Sequence, residues 1–64
     1  MNTEQKRLIE RLIEVPQART EQLITLLSTW LEVERDSETC NMICIALTCT
    51  REIDQSLNDV REGK

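Results

Sequence analysis

Residues 37–61 read SETCNMICIALTCTREIDQSLNDVR. Thr39, Ile43, Ala46, Thr50, Ile53, Leu57 and Val60 follow one another there at alternating spacings of four and three, which is the seam of a heptad-like helix. Beyond residue 50 the other faces are polar. Before it, Cys40, Met42, Cys44, Ile45, Leu47 and Cys49 make the remaining faces apolar too. A helix apolar all round is one that is buried all round. The stretch therefore predicts a long helix whose first half is a central element and whose second half is a two-sided amphipathic extension. Asp36 or Ser37 can cap it, with Glu38 in the first turn.

Two helical segments precede it. In NTEQKRLIERLIEV (2–15), Leu8, Ile9, Leu12, Ile13 and Val15 recur at helical spacing. Asn2 or Thr3 can cap this segment, and Glu4 suits the positive end of the helix dipole. Pro16 disfavours helical geometry at Val15, so a break or kink is expected there. The next segment starts at Pro16 or after Thr20. It carries Leu23, Ile24, Leu26, Leu27, Trp30, Leu31 and Val33 until RDS (35–37) interrupts the pattern. One Gly and one Pro in 64 residues argue against a turn-rich β fold. The expectation is a single all-α domain, a helical hairpin or three-helix unit, with helices at about 3–15, 18–35 and 37–61.

Size limits what such a unit can do alone. A chain this short buries only ~60% of the surface its unfolded form exposes. Trp30 is the sole aromatic residue, so the core lacks the large buried area that aromatics supply. A helix over 37–61 reaches ~37 Å at 1.5 Å per residue, more than a compact monomer of this size easily covers. These features predict a homodimeric helical bundle. Its third helix would pair through Ile43, Ala46, Ile53, Leu57 and Val60, with Leu8, Leu12, Leu23, Leu27 and Trp30 packed against it. A monomeric three-helix bundle with a frayed C-terminus is the alternative.

The net charge is −4, which disfavours general attraction to nucleic acid or anionic membrane. Residues 1–31 balance, residues 39–64 carry −1, and EVERDSE (32–38) carries −3. No stretch approaches the ~20 apolar residues that span a bilayer, and MNTEQKR (1–7) does not lead into the apolar run of an export signal. A reducing cytoplasm with free thiols is the expected setting.

The three cysteines do not form one site. Cys40 and Cys44 share a helix face, whereas Cys49 lies about half a turn round and ~13 Å along from Cys40. There is no histidine, and a structural zinc site takes four ligands. Apolar neighbours such as Met42, Ile43 and Ile45 raise a thiol pKa rather than lower it. The cysteines are therefore read as packing residues, with no metal and no cofactor expected. Without His or Tyr, no general acid–base pair is visible. Ser28, Ser37 and Ser56 have no histidine to activate them. The only glycine, Gly63, makes no phosphate-binding loop. The chain reads as a non-enzyme.

Three binding functions fit such a chain. The first is regulation or inhibition of another protein through the helical dimer, with Trp30 as a possible anchor. In the second, Glu32, Glu34, Asp36 and Glu38 form an acidic decoy for the basic site of a nucleic-acid-binding protein. Four carboxylates are few for that task, since duplex DNA carries one charge per ~1.7 Å. A solvated corner that caps the following helix accounts for them more simply. The third is weak RNA or DNA binding through Lys6, Arg7 and Arg11, although Glu10 and Glu14 interleave with them. A helix-turn-helix reading places an acid and then apolar residues (SETCNMICI) where base-contacting groups belong, which counts against it.

Overall fold

The computed structural model describes residues 2–63. They form two antiparallel helices, α1 (Thr3–Val33) and α2 (Ser37–Glu62), joined by Glu34–Asp36. The all-α hairpin expected from the sequence is present, with two helices rather than three. Asn2 opens α1 with a capping box. Its side chain accepts from the Gln5 N–H at 2.8 Å, and the Gln5 Oε1 accepts from the Asn2 N–H at 3.4 Å. The expected break at Pro16 does not occur, and the helix runs through it. Proline lacks the N–H that would bond the Leu12 carbonyl, an interior defect worth ~3 kcal/mol. Here Pro16 and Leu12 are both exposed, so water can satisfy that carbonyl. The buried stripe also keeps its phase across the defect, from Ile9 and Ile13 to Gln17, Thr20 and Ile24. Packing on α2 thus outweighs the local preference.

The turn is short because both of its ends are capped. Glu34 is extended, and its N–H still bonds the Trp30 carbonyl at 2.9 Å. Asp36 is the N-cap of α2 and accepts from the Thr39 N–H at 2.9 Å. At the far end Gly63 takes φ +78, a left-handed conformation that glycine adopts without steric cost.

The seam between the helices changes character along its length. Near the turn it is apolar: Ile24, Leu27 and Leu31 meet Cys40, Ile43 and Leu47, all buried or half-buried. Toward the open end polar groups join Ile13 and Leu57 in it. Gln17 Nε2 donates to Asn58 Oδ1, and Thr20 shares its hydroxyl between the Gln17 carbonyl at 2.9 Å and Asp54 at 3.1 Å. Thr50 returns its hydroxyl to the Ala46 carbonyl at 2.7 Å. Among the described residues every buried side-chain N or O has a partner. Sliding one helix by a turn would break the two bonds that cross the seam, Gln17 to Asn58 and Thr20 to Asp54, at ~1–3 kcal/mol for each group orphaned, so these pairs fix the register.

That register leaves α1 longer than α2. Gln17 is level with Asn58 and α2 ends at Glu62, so nearly three turns of α1 project beyond it. The molecule measures 50 × 17 × 11 Å with a radius of gyration of 15.0 Å, against ~11 Å for a compact domain of this length.

Candidate functional site

Only one neighbouring helix is available to cover each stripe, and this decides the fate of the cysteine-rich segment. It is not buried all round within the chain. Ile43 and Leu47 face the seam, Cys40 and Ala46 are half-buried, and Met42, Cys44, Ile45 and Cys49 are exposed. Cys40 Sγ lies 3.5 Å from the Glu34 carbonyl and donates to it. All three thiols are free. Among the described residues no group of three or more His, Cys, Asp or Glu side chains is placed to hold a metal. Among the described residues no helix is long and apolar enough to cross a membrane.

The heptad-like seam of α2 divides in the same way. At ~100° per residue its successive members lie ~40–60° apart, in two rows. Ile43, Thr50 and Leu57 turn toward α1, Ala46 is half-buried, and Ile53 and Val60 are about half-exposed at 53% and 51%.

What remains outside is not scattered. On α1, Leu8, Leu12, Val15, Leu23, Leu26, Trp30 and Val33 are all exposed and fall within an arc of roughly 80°. On α2, Met42, Ile45, Cys49, Ile53 and Val60 fall within a similar arc. Each arc lies about a third of a turn from its own seam. Because the helices run antiparallel, both arcs come to the same side of the hairpin. The opposite side is charged and polar, with grooves lined by Arg7, Glu10, Glu14 and Arg61 near the open end and by Ser28, Glu32, Thr48 and Arg51 nearer the turn. The outcome is one continuous apolar face. Monomers rarely expose apolar patches above a few hundred Å² without using them.

The sequence hints at this second stripe. The adjacent pairs Leu8–Ile9, Leu12–Ile13, Leu23–Ile24 and Leu26–Leu27 put one member on each of two faces ~100° apart. Grouped as a single broad stripe, they conceal it. Trp30, singled out from the sequence, sits on this face at 45% exposure.

The acidic residues of the turn are elsewhere, at the tip. Asp36 is engaged as a cap, accepting from both the N–H and the hydroxyl of Thr39, the latter at 2.8 Å. The backbone bond, and then the hydroxyl bond, hold its carboxyl below the ordinary aspartate value. Glu32 and Glu38 are exposed and Glu34 is half-buried, with its Oε2 accepting from the Arg35 N–H at 3.3 Å. Lys6, Arg7 and Arg11 lie on the projecting turns of α1, where Arg7 and Arg11 share a groove with Glu10 and Glu14.

No protein-family model, curated protein or solved structure matches the chain.

Proposed function

We propose that this chain is a small non-enzymatic regulatory or inhibitory protein that works by protein–protein contact as a helical dimer. The continuous apolar face carries this reading. The accessible surface of 5170 Å² exceeds the ~4,200 Å² expected of a compact monomer of 7.5 kDa. The surplus, on the order of 900 Å², resembles the ~800 Å² that each partner contributes to a standard interface. The three cysteines are free, so no disulfide between them staples so small a core.

Sedimentation at micromolar concentration tests the assembly, and a mass of one chain would remove it. Regulation is tested by capture from lysate with nuclease present, comparing wild type with Ile53→Asp. A protein partner retained by wild type and lost with the dimer supports the reading.

A second reading, the acidic decoy, draws on the charge of −3 over residues 32–38 and on the exposure of Glu32 and Glu38 at the tip. Glu32→Lys with Glu34→Lys spares the Asp36 cap. The decoy reading expects that variant to lose its partner while melting almost as wild type does.

A further inference from the structure

We infer that the apolar face is covered by a second copy of this chain set alongside with both turns at the same end, so that α1 of each copy lies over α2 of the other. The inference rests on the dimer reading above and adds its arrangement, which the register inside one hairpin determines. Gln17 is level with Asn58, Thr20 with Asp54, and Glu34 with Cys40. Residues whose numbers sum to about 74 or 75 therefore share a height.

In a dimer whose two-fold axis runs parallel to the helices, that rule also decides what meets across the interface. Val33 comes over Met42, Trp30 over Ile45, Leu26 over Cys49, and Val15 over Val60. Arg19 is the one charged residue in the α1 stripe. It comes over Ser56, the one small polar member of the α2 stripe. Its guanidinium already reaches sideways to Gln22 Oε1 at 2.8 Å, away from the middle of the face. Apolar thus meets apolar at these four levels, Leu23 falls within one residue of the height of Ile53, and the single polar gap on one helix meets that on the other.

The end-for-end dimer stacks α1 on α1 and α2 on α2, and no axis height serves both. An axis at the centre of the α2 stripe, near residue 51, also leaves Leu8 and Leu12 uncovered, and it sets Arg19 over the partner's α1 between Leu26 and Trp30, where no polar gap receives it. Moving it to the centre of the α1 stripe, near residue 20, leaves Met42 and Ile45 beyond the end of the partner's α2. In the same-end arrangement only Leu8 and Leu12 lack a helix opposite, and those of both copies gather at the open end.

Trp30 makes the test direct, because it is the only aromatic residue and its ring protons are unambiguous. Isotope-filtered NOE spectra of wild-type protein, mixed from labelled and unlabelled copies, isolate contacts between chains. The expected result is cross-peaks from the Trp30 ring to the methyl groups of Ile45 and Met42 in the other copy. Cross-peaks to Leu8, Leu12 or Val15 instead, or a dimer with none from Trp30, overturn the arrangement and leave the dimer reading standing. A monomeric mass in the same sample overturns both.

Discussion

Along the seam, three aliphatic side chains are buried, Ile13, Ile43 and Leu47, and they share the space with Gln17, Thr20 and Thr50. Along the open face lie eleven large hydrophobic side chains, every one of them exposed. The larger apolar investment is thus outside the hairpin. The seam contributes direction instead: paired polar groups that tolerate one register only. Such a division suits a chain whose core is completed by something else, since a two-helix layer can bury at most one stripe of each helix.

Substitutions can break this comparison from either side. The largest effect is expected from Ile45→Asp. At 65% exposure the site would tolerate an acid in a lone hairpin with a change near zero. If the face is covered, the buried carboxylate costs several kcal/mol, and both the dimer mass and the cooperative urea transition should be lost. An unchanged transition would mean that the face is bare. Ile43→Ala tests the seam. With 2% exposure its loss should cost ~2–5 kcal/mol by urea titration.

Next in size, Asn58→Ala removes the acceptor shared by Gln17 and Arg61, at ~1–3 kcal/mol. Replacing Gln17 and Asn58 together by leucine should recover most of that stability while loosening the register. New alternative chain-to-chain NOEs would reveal the loosening. The smallest effect belongs to the turn. The carboxyl of Asp36 is lowered in the folded chain, so its stabilisation is complete above the ordinary aspartate value and fades as pH falls through the lowered one. Asp36→Ala should lower the melting temperature by a few degrees at neutral pH, and the gap from wild type should close in strong acid.

Much of this architecture is legible in the residues. The Asp36 cap, the Glu38 dipole partner and the helix that follows were readable because capping is local chemistry. Pro16 misleads because its penalty is also local, whereas the phase of Ile9, Ile13, Thr20 and Ile24 that overrides it is a tertiary fact. The cysteine-rich stretch shows a different limit. Apolar residues on every face specify burial, but they do not say whether the covering helix belongs to the same chain. Ile43 finds its cover within the hairpin, and Ile45 and Met42 do not. Nor does a spacing of four and three reveal that Ile43 and Ile53 serve different faces, because that depends on the direction from which the first neighbour approaches.

The projecting start of α1 has a kinetic consequence. Pro16 interrupts the amide ladder about one turn inside the level where α2 ends, and in the turns before it only Ile13 is buried and Ile9 half-buried, so those turns have little tertiary cover. Their backbone amides should exchange with solvent deuterium through local opening, held back mainly by the Asn2–Gln5 capping box. Amides of residues 20–31 and 43–57 should exchange only when the whole molecule opens. A single continuous helix would then display two populations of exchange rates, with the boundary at its proline.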